Sequence, residues 1–239
     1  PTGSAAWVRL FDETTTSMRF PFDGRDVTEA EILDALSHSN AATRAEAGQS
    51  LSTTLKSHER LLSLTLNTIA KDKQIEDGWR GFKRPVAFRN LANDVDDAVV
   101  DALVVAVNQR NADLTHRYYQ LKANWMGVKQ LNWWDRNAPL PGDDDRQFSW
   151  DEAHHIVLDA FAGFDPKMAE IAKPFFSNNW IDAAPRAGKS SGAFSHPVVP
   201  SAHPYILMNF AGKSRDVMTL AHEMGHGIHQ VLAAEQGYL

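Results

Sequence analysis

The sequence predicts a mainly α-helical fold with a small β-hairpin or sheet immediately before its last helix. Apolar residues recur at helical spacing from about residue 27 to about residue 130, and again from residue 150 to residue 178. Two short apolar runs of strand type, GAFSHPVV and PYILMNF, then follow, separated by a turn of Pro, Ser and His. A chain of 239 residues with 43% hydrophobic content can bury a substantial core, so we expect an ordered globular protein.

Capping residues mark the starts of the predicted helices. Thr28 stands three residues before Glu31, which is the spacing of a capping box. Asn40 is suited to cap the next helix. We expect Ser149 to cap a later helix and Ser214 to cap the last one.

Three stretches interrupt the helical pattern. A break near residues 56–58 separates two antiparallel helices, and GWRGFKRPVAFRN is predicted to be a linker because of its Gly and Pro content. In the loop NWWDRNAPLPGDDDRQFSW, the aspartates at 143–145 lack the alternation and the distal Glu of a calcium loop. We interpret them as a solvated turn.

Charge and cysteine content exclude several classes of function. The 24 Lys and Arg residues against 30 Asp and Glu residues give a net charge of −6, and no basic run could follow a phosphate backbone, so we expect no nucleic-acid partner. The N-terminus has no signal-peptide pattern, and no apolar stretch reaches the roughly 18–20 residues of a spanning helix, so we expect no membrane partner. The absence of cysteine fits a cytoplasmic location and restricts metal ligands to His, Asp or Glu.

The last predicted helix contains the stretch TLAHEMGHGIHQ, residues 219–230. His222 and His226 are four residues apart, which places them on one helix face about 6 Å apart along the axis, so both imidazoles can bind one metal ion. Glu223 is then a neighbour of the ion rather than a ligand. This is the arrangement of zinc proteases, in which the ion lowers the pKa of a water molecule and the carboxylate accepts its proton.

Two glycines inside this helix need an explanation. Gly225 and Gly227 each cost the helix about 1 kcal/mol relative to alanine. A close approach of the helix backbone to a metal or to a neighbouring helix would explain why they are tolerated.

Neighbouring residues do not complete a three-ligand site. His229 is roughly 10 Å along the axis from His222, too far for both to bind one ion. The metzincin extension requires Gly at position 229 and His at position 232, where this chain has His229 and Leu232. Glu235 falls on the opposite face if the helix continues. What remains is the class whose third ligand is a Glu from a later helix, for which residues 227–239 leave no room.

The stretch RDVMTLAHEMGHGIHQ, preceded by HPYILMNFAGK and GKSSGAFSHP, resembles the oligoendopeptidase F branch of the thimet-oligopeptidase family of zinc metallopeptidases. The stretches LNWWDRNAPLP, WDEAHHIVLDAF and WRGFKRP are similar to the same family, so the resemblance covers most of the chain. It implies a helical, zincin-like metallopeptidase body of the HExxH gluzincin type. Residues 1–239 would then be a single partial domain, with a helical part over 1–135 and the loop, helices, β-hairpin and zinc helix over 136–239.

The resemblance also implies the roles of the site residues. His222 and His226 bind one Zn²⁺, and Glu223 is the general base of a metalloendopeptidase that hydrolyses peptide bonds in short oligopeptides. The extended segment before the zinc helix forms a sheet edge along which the peptide lies. The candidate substrate contacts are Met208, Asn209, Phe210, Ala211, Phe194 and His229.

Departures from the family support a competing hypothesis. The N-terminal lobe, the third zinc ligand and the downstream His and Tyr residues of the family have no counterpart in this sequence. We therefore expect an internal piece of a longer enzyme, and the alternative function is an inactive scaffold that binds peptide or metal weakly. If the segment that covers the zinc helix is absent, we expect Ile228, Val231 and Leu232 to be exposed and the chain to self-associate through them.

Overall fold

The computed structural model describes residues 2–142 and 146–237. The chain divides into two compact units: unit 1 comprises residues 1–25 and 35–143, and unit 2 comprises residues 26–34 and 144–239. The aspartates at 143–145, interpreted above as a solvated turn, lie outside the described residues. In the described part of the chain, every helix is too short or too polar to cross a bilayer.

Helices dominate both units, and the predicted mainly α fold with a small sheet before the last helix is confirmed. Up to residue 135 the elements are α1 (Ser4–Ser17), β1 (Phe20–Phe22), β2 (Arg25–Val27), α2 (Glu29–Ala35), α3 (Ala41–Ser57), α4 (Glu59–Arg80), α5 (Ala87–Ala92), α6 (Asp97–Asn111), a π-helical turn (Ala112–His116), α7 (Arg117–Trp125) and a 3₁₀ turn (Trp133–Asp135). After residue 149 they are α8 (Trp150–Phe164), α9 (Pro166–Ser177), β3 (Ile181–Asp182), β4 (Phe194–His196), β5 (Tyr205–Leu207), α10 (Ser214–Ala233) and a 3₁₀ turn (Ala234–Gln236).

Capping bonds form at three of the predicted helix starts. The Glu31 carboxylate accepts the Thr28 N–H at 2.8 Å, and the Thr28 hydroxyl accepts the Glu31 N–H at 3.3 Å, so this capping box is confirmed. The Asn40 side chain accepts two N–H groups of the first turn of α3. Ser149 accepts an N–H of α8 at 3.1 Å. The predicted break near residues 56–58 is also confirmed, because α3 and α4 are separate helices that meet at residue 58.

Other boundaries differ from the sequence predictions. Helix α1 and the two-stranded sheet of β1 and β2 precede the first predicted helix. Helix α4 continues through Gly78 and ends at Gly81, which has the left-handed conformation (φ 75°) that commonly terminates helices. The predicted linker therefore begins later, and it contains the short helix α5. A glycine stops a helix only where its backbone takes that conformation, which the sequence does not reveal.

A buried ion pair joins α3 to the 3₁₀ turn of unit 1. Two guanidinium nitrogens of Arg44 donate to Asp135 Oδ1 at 3.0 and 2.9 Å, and the third donates to the carbonyls of His38 and Ser39 at 2.8 Å each. The other Asp135 oxygen accepts the Asn132 N–H at 3.0 Å. Since Arg44 is only 2% exposed, its charge depends on these partners for stabilisation.

Three strands form the sheet of unit 2, in the order β3, β5, β4. Strand β3 runs parallel to β5 with Ile181 opposite Ile206, and β4 runs antiparallel to β5 with Ser195 opposite Ile206. The sheet is therefore mixed, and β5 is its central strand. Strand β3 has only two residues and pairs with a distant segment, so the local sequence pattern does not reveal it.

One face of α10 packs against α8, α9 and the sheet. Leu220, Met224 and Ile228 are at most 1% exposed and belong to the core of unit 2. A Cβ atom on Gly227 would lie 2.8 and 2.9 Å from two ring atoms of Phe175, so only glycine allows this approach. Close approach of the helix backbone to a neighbouring helix therefore explains the glycine at position 227. It does not explain Gly225, where a Cβ atom would meet nothing within 4 Å.

The expected exposure of the α10 residues after the histidines is partly wrong. Ile228 is 1% exposed and Val231 packs against the core, whereas Leu232 is 49% exposed. The first two residues lie on the same helix face as Leu220 and Met224, and that face is covered within unit 2. Self-association stays a prediction, without support from Ile228 or Val231.

Asp135→Ala should reduce the free energy of unfolding by about 3–5 kcal/mol, because it leaves the Arg44 charge buried without its carboxylate. Urea denaturation followed by circular dichroism measures this change. Glu76→Ala is the matched control, since it breaks an exposed ion pair with Arg80 and should cost less than about 1 kcal/mol. Equal losses in the free energy of unfolding would contradict the conclusion that the buried Arg44 charge depends on Asp135.

Gly227→Ala and Gly225→Ala should have opposite effects on stability. The first forces a methyl group into the buried Phe175 ring, and overpacking of this kind costs about 1–3 kcal/mol. The second enters open space and should add up to about 1 kcal/mol from helix propensity. Urea midpoints of the metal-free chain compare them, and a stabilising Gly227→Ala would show that the close approach does not constrain α10.

Candidate metal centre

The first turn of α10 is held by an acidic side chain. The Asp216 carboxylate accepts the N–H groups of Ala211 at 2.9 Å and Lys213 at 3.0 Å. Lys213 is the N-cap residue, so the expectation of Ser214 as the cap is wrong by one position. The Lys213 side chain also donates to the Asp34 carbonyl at 3.1 Å and forms an ion pair with its carboxylate at 2.5 Å. These bonds fix where the helix that carries the histidines begins.

His222 and His226 lie on the exposed face of α10, opposite its buried face. Their Nε2 atoms are 3.2 Å apart, and the two ring planes are perpendicular. This arrangement follows from the four-residue spacing, because one helical turn places the two imidazoles above one another. The structure thus brings the two predicted ligands together.

The separation of the two nitrogens fits a shared zinc ion. Two nitrogens bound to one tetrahedral zinc at about 2.0–2.1 Å stand about 3.3–3.4 Å apart. The observed 3.2 Å between His222 Nε2 and His226 Nε2 is close to that value. Two neutral nitrogens this close gain little from each other unless a proton or a cation lies between them. The donor set therefore fits the metal that the sequence predicts.

Glu223 lies beside the histidine pair and is largely buried. The residue is 8% exposed, and within residues 2–142 and 146–237 its carboxylate has no hydrogen-bond or ion-pair partner. Its oxygens are not among the fully buried side-chain atoms that lack a partner, so the unpaired carboxylate is open to a water molecule or a substrate. Its position one residue from His222 also fits the predicted role of a neighbour rather than a ligand.

No third ligand is present beside the pair in the described part of the chain. Among those residues, no group of three His, Cys, Asp or Glu side chains could hold a metal ion. His229 is exposed, and Glu235 lies in the exposed 3₁₀ turn that follows α10. The candidate site as described contains two imidazole nitrogens and one carboxylate.

The segment predicted to be the sheet edge is instead the continuation of the central strand. Met208 is 1% exposed, and its N–H donates to the Asp182 carbonyl at 3.0 Å. The Phe210 N–H donates to the Ala183 carbonyl at 2.9 Å, and the Ala211 N–H is occupied by Asp216. On the side that faces β3 the segment is therefore not the free edge that was predicted, because the N–H groups of Met208 and Phe210 are already bonded there. The sheet edge on the other side of β5 is β4.

The remaining candidate substrate residues have different positions. Phe194 lies in the edge strand β4 and is 48% exposed. The Asn209 side chain donates to the carbonyls of Ser190 and Gly192 at 3.0 and 3.1 Å, so it holds the loop that leads into β4. His229 is exposed on α10. Contact of these residues with a peptide stays a prediction.

Sequence reasoning missed a contact between α10 and β4. The Ser195 hydroxyl donates to Gln230 Oε1 at 2.9 Å, and Gln230 Nε2 donates to the Ser195 carbonyl at 3.3 Å. The sequence feature that could have indicated this contact is the position of Gln230, four residues after His226 and hence one turn further along the same helix.

An ion cluster organises the start of the loop between β3 and β4. Asp182 accepts two hydrogen bonds from Arg186, at 2.6 and 2.7 Å, and one from Lys189 at 3.0 Å. The Lys189 side chain is 1% exposed and also donates to the Asp182 and Ala184 carbonyls. Arg186, and then Lys189, lower the pKa of the Asp182 carboxyl to about 2. This cluster and Asn209 together hold both ends of the loop.

Comparison with known proteins shows the family to which the chain is related. A sequence profile of peptidase family M3 matches residues 35–238. The chain is 27% identical over 207 residues to oligopeptidase PepF of Bacillus subtilis, an alignment that covers 86% of this chain and 30% of the relative. It is 26% identical over 232 residues to the chromosomal oligoendopeptidase F of Lactococcus lactis subsp. cremoris, covering 95% of this chain and 38% of the relative. The chain thus spans about a third of the length of these relatives.

The fold is shared with a solved structure. A crystal structure from Bacillus anthracis, described as an oligoendopeptidase F, superposes with a TM-score of 0.89 at 18% sequence identity. The match covers 97% of this chain and 43% of that chain. At this identity the similarity shows the fold alone.

The Asp182 carboxyl should titrate with a pKa of about 2. Its charged form accepts the hydrogen bonds, so its stabilising contribution is complete above the usual Asp pKa of about 3.9 and is lost as the pH falls toward 2. An NMR titration of the side-chain carboxyl carbon measures it. Arg186→Met removes the main cause and should raise this pKa, whereas Arg110→Met in unit 1 should not. An unchanged Asp182 pKa in Arg186→Met would contradict the assignment.

Proposed function

Because the chain belongs to peptidase family M3, we propose that it provides two zinc ligands and the general base of a metalloendopeptidase that hydrolyses peptide bonds in short oligopeptides. The observation that carries the proposal is the separation of 3.2 Å between His222 Nε2 and His226 Nε2. The Glu223 carboxylate, adjacent in sequence to His222 and unpaired among the described residues, supports it.

His222 and His226 would hold Zn²⁺ through their Nε2 atoms. When bound, the ion polarises the scissile carbonyl and lowers the pKa of water toward neutrality. Ligation through Nε2 requires both imidazoles to be neutral, with the proton on Nδ1.

Glu223 moves the protons of the reaction. Its carboxylate accepts a proton from the attacking water and can then deliver it to the leaving amine nitrogen. Among the described residues, no cation is paired with this carboxylate. A base without a permanent ion pair remains available to the substrate.

Of the two edge strands of the sheet, β3 and β4, the one bonded to the helix of the histidine pair is β4, and it could receive a peptide. It lies at the edge of the sheet, whereas β5 is central and bonded on both sides. A peptide that adds to a sheet edge is recognised through its main chain, which explains how one enzyme can act on many sequences. The half-exposed Phe194 would contact a side chain of such a peptide.

A second candidate function is an inactive scaffold that binds peptide or metal weakly. The finding that favours it is the lack of a three-residue ligand cluster in the described part of the chain. A zinc hydrolase needs three protein ligands and one open position, so the third ligand of an active site must come from outside those residues. With two histidines alone, metal affinity falls and other divalent ions compete for the site.

Loss of a residue that only hydrogen-bonds to a metal ligand reduces metal affinity by about 10–100-fold. His222→Ala and His226→Ala remove the ligands themselves, so each should reduce zinc affinity by more than that. Isothermal titration with Zn²⁺ measures the affinity of each variant. His229→Ala is the matched control, because this exposed histidine lies on the same helix and should leave binding unchanged. Wild-type affinity in both ligand variants would overturn the proposed metal site.

Glu223→Gln should retain zinc and reduce cleavage of a quenched fluorescent peptide by about 10²- to 10⁴-fold, the usual contribution of a general base. A chelator should abolish any wild-type cleavage. Zinc binding without cleavage by the wild-type chain would favour the scaffold function. Cleavage that survives both the chelator and Glu223→Gln would exclude the proposed mechanism.

A further inference from the structure

Helix α10 carries a third polar side chain next to the histidine pair. Gln230 follows His226 by one turn, about 6 Å along the helix axis. Its amide oxygen accepts the Ser195 hydroxyl at 2.9 Å, and its amide nitrogen donates to the Ser195 carbonyl at 3.3 Å. Gln230 therefore links the helix of the predicted zinc ligands to the edge strand β4.

The hydrogen bonds of the central strand show which way the groups of Ser195 point. The Ile206 N–H donates to the Trp180 carbonyl at 2.9 Å, so the main-chain groups of Ile206 face β3. Ser195 is opposite Ile206 in the antiparallel pair of β4 and β5. It thus occupies a non-hydrogen-bonded position, and its own N–H and carbonyl point away from β5. Gln230 occupies a carbonyl on the outer edge of the sheet.

Few main-chain groups on this outer edge remain for a peptide. Residues two apart in an extended strand point the same way, so Ala193 and Pro197 belong to the same set as Ser195. Pro197 has no N–H to donate. A peptide added to β4 can therefore pair with both groups of Ala193 and with the Ser195 N–H. Its next N–H would have to stand near the Ser195 carbonyl, where the Gln230 amide nitrogen already is.

We propose that Gln230 is a positioning residue that ends the main-chain ladder of a bound peptide at Ser195. The inference rests on the proposed function, because it requires a peptide on the edge of β4. The Gln230 amide nitrogen already donates to the Ser195 carbonyl and therefore competes with a peptide N–H for this acceptor. Fewer ladder hydrogen bonds then hold the peptide beyond Ala193.

Scanning the peptide with N-methyl groups tests this role without requiring turnover. The probe is a fluorescein-labelled nine-residue peptide of Ala, Gly and Ser, with single N-methyl derivatives at each position, and binding is measured by fluorescence anisotropy. All variants carry Glu223→Gln to prevent cleavage. With Gln230 present, N-methylation should weaken binding at one peptide position, the residue opposite Ala193. The expected loss is about 2- to 10-fold, as for one main-chain hydrogen bond.

Gln230→Met keeps the side-chain length but removes the amide. The freed Ser195 carbonyl should then accept a peptide N–H, so a second position, two residues from the first, should become sensitive to N-methylation by a similar factor. Gln230→Glu is the second variant, since its carboxylate can still accept the Ser195 hydroxyl but cannot donate to the carbonyl. Gln230→Glu should make the same second peptide position sensitive to N-methylation, even if Gln230→Met loosens β4.

Ser195→Ala is the matched control. It removes the hydroxyl that donates to Gln230 but leaves the bond from Gln230 to the carbonyl, so it should show one sensitive position, like the parent protein. A purely structural role would make Ser195→Ala behave like the Gln230 variants. One sensitive position in both Gln230 variants would overturn the inference while leaving the proposed function intact. No peptide binding by the parent protein would overturn both.

Discussion

The contact between Gly227 and Phe175 determines how α10 lies in unit 2. The helix backbone approaches the ring so closely that a Cβ atom at this position would be 2.8 Å from it. Leu220 and Met224, on the same helix face, fill the space between α10 and its neighbours. With this face buried, the side chains of His222 and His226 are left on the opposite, exposed face. A single packing contact thus orients the histidine pair without touching it.

In the sheet of unit 2, the central strand and the edge strand beside α10 are held in different ways. The central strand β5 continues through Met208 and Phe210, whose N–H groups are bonded to the segment that contains β3. The edge strand β4 follows a loop that is held at its start by the ion cluster of Asp182 and near its end by Asn209. Only the Arg186 ion pair of this cluster is exposed and contributes little to stability, whereas the Lys189 side chain is buried. The cluster and Asn209 limit where β4 can lie beside α10.

Every predicted site residue belongs to unit 2. His222, Glu223, His226 and His229 lie on α10, Phe194 lies on β4, and the other candidate peptide contacts lie in the segment that follows β5. Unit 1 has its own stabilising feature in the buried Arg44 and Asp135 pair. The family match covers residues of both units, so the similarity to the family is not restricted to the unit that carries the candidate site.

The sequence alone determined the features that depend on neighbours within one or two helical turns. The capping box of Thr28 and Glu31 and the pairing of His222 with His226 are of this kind, because helix geometry fixes which residues meet at three or four positions apart. The mainly α class followed from the same periodicity. Even here the error of one residue at the start of α10 arose because Asp216 caps the helix from inside its first turn.

Only the tertiary structure decided which strand forms the edge of the sheet. Met208 and Phe194 both lie in short apolar runs of strand type, and nothing in either run reveals that β3 pairs with one of them. The burial of Ile228, the different surroundings of Gly225 and Gly227, and the bond between Gln230 and Ser195 were hidden for the same reason. Each depends on segments that are distant in the chain, and local periodicity carries no information about which distant segments meet.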